Sequence, residues 1–469
     1  MGGYFVGILA STVSSAMLFR HLGVVVAGQY VTALSLVAIV TAFSDLGLTA
    51  VGIREISTRP EDERWSLAKD LLGLKLTLTL LGGVAVTLIA WAAYSADLAE
   101  GVALAVVGLG FSTTQDNYAI ALIVNLRLGW VAALDLMRNL MTAAFTIALV
   151  LLGAHLVAFL GISIPVCIVV TLITAALVRY GRSLAPSFSL KRWRIFVRSV
   201  LPYSAAVAAS VLYYRVAILL VSAISSGAQL GYFSVSYRVI EVLTVVPGLL
   251  VSSAFPILAR SARDDVARFD YALRKVFEIS LIAGAWVAVS TAVAAPIAIS
   301  ILGGPSFRDA DDVLAVLGIG LGALFVNVVW SYGLLSLGLY RLILAINATA
   351  LVVNIAIVAP LVALYGARGA AIGTGVTEVL VAIVQAWALA KHGRPLRQSL
   401  PVVPKVALAA AAALSPLALS GVPTLARLAI STVIFAAVVL ITRATPTEVL
   451  DLLPGDHFRR RQPSTDHPG

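Results

Sequence analysis

Two arginines interrupt otherwise apolar runs. Arg215 lies in "VLYYRVAILL" and Arg238 in "SVSYRVIEVL", with Glu241 one turn after the second. A guanidinium fork matches phosphate oxygens in pairs, so arginines held inside a hydrophobic chain are candidates for gripping an anionic headgroup. Acidic residues occur in similar surroundings: Asp116, followed by Asn117, in "TTQDNYAIAL", and Glu378 in "GTGVTEVLVA". "FSDLGLTAVGIREIS" sets Asp45 ahead of an Arg54–Glu55 pair, and Arg20–His21 closes the first apolar run. An ionisable side chain at mid-membrane costs roughly 2.5–3.5 kcal/mol, so each such group is expected to face a cavity or a partner.

The sign pattern suggests two roles. Arg20, Arg54, Arg215 and Arg238 together would make a central cavity cationic and suited to a phosphate-bearing substrate. Asp45, Glu55, Asp116, Asn117, Glu241 and Glu378 are candidates for gating, or for coupling to protons or sodium. Each position also has a plainer structural reading. Arg238 and Glu241 at i, i+3 can neutralise one another. Arg54 can be an ordinary inner-side anchor, Asp116 a hydrogen-bonding partner for a neighbouring helix, and Glu378 a residue near a wet outer mouth. Arg215 has no acidic neighbour within a turn of its own helix, which favours a place on the lumen.

Catalysis has little to work with. No metal-ligand spacing, phosphate-cradling glycine loop or nucleophile–base pair is visible, and every outer loop is too short to house an active site. Cys167 is the single cysteine, so neither a disulfide framework nor a thiolate cluster is available. The expectation is a protein with no cofactor and no enzymatic activity.

The elements that would position these charges follow from composition. Of 469 residues, 60% are hydrophobic and 12% charged, against about 45–50% and 25% in soluble domains, which points to an integral membrane chain. Spanning helices need about 20 apolar residues. Fourteen stretches qualify: 3–22, 29–51, 69–93, 101–125, 131–153, 156–178, 199–223, 229–256, 274–298, 312–336, 340–362, 368–390, 404–420 and 425–442. Twelve or thirteen spans is the alternative count. The first carries no basic leader or small-residue cleavage site and reads as a retained anchor.

With the N-terminus inside, 27 of the 33 Lys and Arg fall on inner loops or inner helix ends and four outside, which places both termini in the cytoplasm. The net charge of +10 then faces anionic phospholipid headgroups, and no loop is large enough for a nucleic-acid reader. Two inner stretches, 183–199 and 259–276, mix bases with apolar residues and predict helices lying in the interface.

"AGQYVTALSLVAIVTAFSDLGL" and "LGYFSVSYRVIEVLTVVPGLL" echo one another, with Tyr30 and Tyr232 202 positions apart. An even number of helices per unit predicts two lobes related by a pseudo-two-fold along the membrane normal. The domains expected are 1–182 and 199–392 as six-helix lobes, 183–198 as a cytoplasmic linker, 393–443 as two further spans and 444–469 as a tail. Pro165, Pro202, Pro247, Pro256, Pro296 and Pro360 mark possible bending points.

The run "HLGVVVAGQYVTALSLVAIVTAFSDLGLTAVGIREIS" resembles the opening of bacterial polysaccharide flippases, within the multidrug/oligosaccharidyl-lipid/polysaccharide exporter superfamily, whose other branches are MATE-like. "AQLGYFSVSYRVIEVL" with "FPILAR" is similar to that family's span eight, and "LYGARGAAIGTGVTEVL" to the opening of its span twelve. The family often has an Asp after the bulky residues of span seven, where this chain has Arg215 and an Ala. The resemblance implies alternating access in the bacterial cytoplasmic membrane, moving an undecaprenyl-diphosphate-linked oligosaccharide between leaflets. It also implies a polysaccharide polymerase and glycosyltransferases as partners. Arg54, Arg215 and Arg238, with Arg20 behind them, are then the expected diphosphate contacts. A multidrug extruder or a lipid II flippase of the same superfamily is the alternative.

Overall fold

The computed structural model describes residues 2–178, 185–393, 401–419 and 421–444. Among them the chain is helical throughout, with no strand. The expected Arg179 and Arg182, the first two residues of the 183–199 stretch, Arg394, Arg397 and the tail from 445 lie outside the described residues.

Fourteen apolar passages are accounted for among the described residues. Ten helices are long and apolar enough to cross a membrane, two of them are pairs of helices joined at a glycine, and two shorter apolar helices complete the set. The joints are α1 (Gly2–Asp45), broken at Gly23 with φ 71°, and α13 (Tyr340–Lys391), broken at Gly366 with φ 57°. Only glycine adopts such a backbone without steric cost. The peptide freed in α13 is answered from another helix, since Ala367 N–H donates to Gln229 Oε1 at 2.9 Å.

Prolines do not make these corners. Pro256 and Pro296 sit inside α-helices without a break, and Pro360 lies six residues before the Gly366 joint. The neighbouring spans can re-satisfy the carbonyl that each proline frees.

Two compact units emerge. The first comprises Met1–Leu243, Ala295–Gly320 and Gly338–Val381. It holds α1, α2 (Leu48–Thr58), α3 (Glu61–Ala93), α4 (Ala96–Val124), α5 (Leu128–Leu151), α6 (Leu156–Gly161), α7 (Ser163–Val178), α8 (Leu190–Ile224) and α9 (Gly227–Leu243). Leu36 and Val40 of α1, Val86 and Ala90 of α3, Leu98 and Val102 of α4 and Leu160 of α6 form one of its cores. Gly28 of α1 meets α9 so closely that a Cβ there would lie 2.9 Å from Gly231 N, a small-residue approach typical of helices in lipid.

The second unit comprises Thr244–Ala294, Leu321–Leu337 and Ala382–Gly469. Here α14 (Val402–Ala413) and α15 (Thr424–Ile441) lay Val406, Ala409, Phe435 and Val439 against Val289 and Val293 of α11 (Val266–Leu302). Phe277 and Trp330 stack with ring centroids 4.6 Å apart.

The two interfacial helices expected on the inner side take other forms. Within 183–199, Leu190 onward is the first part of α8, a single 35-residue helix. Trp193 is buried beside Leu67 and Leu71 instead of facing headgroups, and its indole N–H donates to Asp70 O at 3.1 Å. The cause is Asp70: its carboxylate, 1% exposed, draws Arg192 to 2.5 Å and brings the neighbouring indole inward. The second stretch is a corner, where α10 (Val245–Asp264) ends and Asp265 caps α11 by accepting the Arg268 N–H at 3.0 Å. Arg260, Arg263 and Arg268 remain exposed there.

Candidate functional site

The first unit gathers its charges into two clusters. One is built on α8 and α9. Buried Tyr237 of α9 donates its hydroxyl to Tyr214 O of α8 at 2.7 Å, which fixes the register between the two helices. Arg215, the next residue of α8, is thereby set against Glu241 of α9, with Nη1 to Oε1 at 2.7 Å. Arg238, one turn before Glu241, reaches its other oxygen at 3.1 Å. Arg238 Nη2 also donates to Ser11 Oγ of α1 at 2.7 Å. Two guanidinia thus share one carboxylate, leaving one formal positive charge. All three side chains remain between 26% and 31% exposed. Close by in sequence, Tyr213 donates to Glu378 Oε1 at 2.9 Å, and that carboxylate is buried, not wet.

The other cluster joins α1 to α5. Lys75 Nζ of α3, 2% exposed, lies 2.7 Å from Asp45 Oδ1 and 2.5 Å from Thr49 Oγ1, while the Thr49 hydroxyl also bonds Asp45. Asp116 of α4 meets Arg138 of α5 at 3.5 Å, and Arg138 also bonds Gln115. Asn117 turns the other way and donates to Ala68 O at 2.9 Å. Arg138 borders a cavity of about 260 Å³ lined by Tyr30, Ser112, Thr142, Phe159 and Cys167 among others. Two acids answer two bases, so this cluster is neutral.

The four arginines expected to share one cavity are not gathered. Arg20 donates to the carbonyls of Ser300 and Ile301 at 2.9 and 2.8 Å, capping the end of α11. It sits about 13 Å along α1 from Ser11, at 1.5 Å per residue. Arg54 is 79% exposed and pairs with its neighbour Glu55 at 3.3 Å, and Glu55 also receives Arg59 at 3.4 Å. Arg215, with no acid within a turn of its own helix, has Glu241 from the adjacent helix.

Lys75 and Arg138, counted above among the inner-side bases and not as site candidates, hold acids within the cluster. The available signal was each one's isolation, as in "GLKLTLTLL" and "DLMRNLMT". Ser11 carried no signal at all. Among the described residues no group of acids, histidines and cysteines could hold a metal.

These features define a multi-pass, all-helical membrane protein of the MATE-like fold. Solved structures share it: a lipid II flippase, MurJ, in an inward closed conformation, is 14% identical with TM-score 0.76, covering 94% of this chain and 98% of that one. An inward-facing multidrug resistance MATE family transporter of the MOP superfamily is 17% identical with TM-score 0.60, covering 81% and 92%. A MOP superfamily transporter from Pyrococcus furiosus, described as having a binding pocket of reverse polarity, is 16% identical with TM-score 0.56, covering 82% and 92%.

The chain belongs to the polysaccharide biosynthesis protein family, whose model matches residues 18–312. No curated protein matches the sequence.

Proposed function

We propose that the protein is a flippase for undecaprenyl-diphosphate-linked oligosaccharide repeat units, carrying them from the inner to the outer leaflet of the bacterial cytoplasmic membrane by alternating access. One observation supports this most directly: Arg215 and Arg238 converge on a single carboxylate, leaving a partly open site with net positive charge inside an apolar bundle. A sugar–diphosphate head cannot cross hydrocarbon unaided, because each unpaired polar group buried there costs several kcal/mol. Paired guanidinia replace its hydration shell, while the prenyl tail stays in lipid. Residues 1–182 and 199–392 are the rocking lobes, 183–198 their linker, 393–443 an accessory pair of spans, and both termini are cytoplasmic. Asp116, which meets Arg138, and buried Glu378 are the candidates for proton or sodium coupling. Asp45 with Arg54 and Glu55 belongs to the cytoplasmic entrance. A polymerase and glycosyltransferases are the natural partners.

A multidrug extruder would need carboxylates in excess for a cationic cargo, the reverse of the Arg215–Glu241–Arg238 balance. A lipid II flippase shares the diphosphate chemistry, and one of the similar folds is of that kind.

The test is a deletion strain carrying the gene or its Arg215→Ala/Arg238→Ala form at equal protein levels. The proposal expects lipid-linked repeat units to accumulate on the inner side without the gene and with the double variant, and surface polysaccharide to return with the natural chain. Restoration by the double variant would refute it. Rescue of a lipid II defect instead would reassign the cargo.

A further inference from the structure

Glu241 occupies the place that an anionic ligand of Arg215 and Arg238 would need. Its oxygens are divided between the two forks, Oε1 2.7 Å from Arg215 Nη1 and Oε2 3.1 Å from Arg238 Nη1. A carboxylate used in this way offers the same pair of acceptors as one phosphoryl group spanning two guanidinia. We propose that Glu241 is a built-in placeholder anion, seated on the arginines when the site is empty and displaced by a phosphoryl group of the incoming lipid. The inference rests on the diphosphate reading above and names how that site is regulated.

Three features support exchange over a permanent seal. One carboxylate serves two cations, so a diphosphate, with one negative charge on each of its two phosphoryl groups, neutralises the pair better and can compete for it. Arg238 keeps a second anchor on Ser11 Oγ at 2.7 Å, and the Tyr237–Tyr214 bond fixes the backbone beside Arg215. The forks therefore stay aimed when Glu241 leaves. The departing side chain also has somewhere to go, since α9 ends two residues later at Leu243 and all three side chains are partly open.

The placeholder has two consequences. An empty pair of guanidinia inside an apolar bundle would carry uncompensated charge, and Glu241 removes that cost between cycles. It also sets a threshold, because a neutral or weakly charged lipid cannot displace it. The cargo class selected is therefore a lipid whose diphosphate carries two negative charges, one on each phosphoryl group, and uncharged glycolipids are rejected.

The experiment measures binding of farnesyl diphosphate, with farnesol as the uncharged control, to the purified full-length chain in lipid nanodiscs by calorimetry. Glu241→Gln removes the competing charge and is expected to bind about tenfold more tightly. Glu241→Asp keeps the charge but is one methylene too short to bridge both forks, and a gain of about threefold is expected. Either variant suffices if the other fails to fold, as judged by thermal melting. Farnesol binding should not change. Equal or weaker diphosphate binding in the folded Glu241 variants, with Arg215→Ala and Arg238→Ala still losing it, overturns the placeholder and leaves the diphosphate reading intact. Undiminished binding by both arginine variants overturns the diphosphate reading itself.

Discussion

The two charged clusters of the first unit use the same residue types in different proportions. Asp45, Lys75, Asp116 and Arg138 balance two acids against two bases. Arg215, Arg238 and Glu241 leave a base over. A balanced set inside an apolar bundle satisfies itself and holds helices together. An unbalanced one retains attraction for an outside ion. Stoichiometry, more than burial, separates the balanced cluster from the proposed diphosphate seat: Lys75 is 2% exposed and its charge is matched, whereas the two arginines are part-open and share one carboxylate.

The largest test of that contrast is on transport. Arg215→Ala with Arg238→Ala should abolish lipid-linked repeat-unit export, measured by inner-side accumulation; melting should fall because Glu241 is left without its cations, and Glu241→Gln in the same chain should restore most of that fall without restoring export. Loss of folding instead would make the unbalanced cluster scaffold as well. The second effect is on stability. Lys75→Met leaves Asp45 and Thr49 without their buried cation, and breaking such a pair costs about 2 kcal/mol once the part-exposure of Asp45 is discounted. Thermal melting of the purified variant should fall, and Asp45→Asn in the same chain should restore most of the loss, since the stranded charge is gone. A third, smaller change is expected for Arg138→Gln, which keeps a donor for Gln115 and Asp116. Melting should drop by an amount matching about 1 kcal/mol, and alkylation of Cys167 on the shared cavity wall should speed up. Smallest of all is Arg54→Ala: its pair with Glu55 is open to solvent, so stability should shift by less than about 0.5 kcal/mol. A loss of export there at unchanged melting would show that the entrance role proposed for Arg54 is real and independent of the pair.

How much of this was legible in the chain depends on range. The spans follow from apolar length, a property of each segment alone, and the described residues hold ten helices long and apolar enough to cross a membrane, two of them broken at a glycine, and two shorter apolar helices. The Arg238–Glu241 pair is also local, one turn apart on one helix. The Arg215–Glu241 contact is not, because the rotation of α8 against α9 depends on Tyr237 finding the carbonyl of Tyr214. The partner of Lys75 is hidden for a related reason: a lysine six residues into a span near the inner side looks like a positive-inside anchor alone until Asp45 is folded onto it. Arg20 shows the opposite error. An arginine at the end of an apolar run was assigned to ligand binding, yet the last carbonyls of another helix offer it ready acceptors. Trp193 likewise looked amphipathic in sequence and is drawn inward by Asp70, a residue more than a hundred positions away.

Gly366 carries a last consequence. Where the two helices of α13 meet at Gly366, the Ala367 amide needs an acceptor from another helix. Here the Gln229 side-chain carbonyl accepts that hydrogen bond. The elbow of α13 is therefore a soldered joint, not a spring. Shortening Gln229 would free it to straighten and wander, and the damage would surface as a bundle that loses its shape, far from any residue that touches cargo.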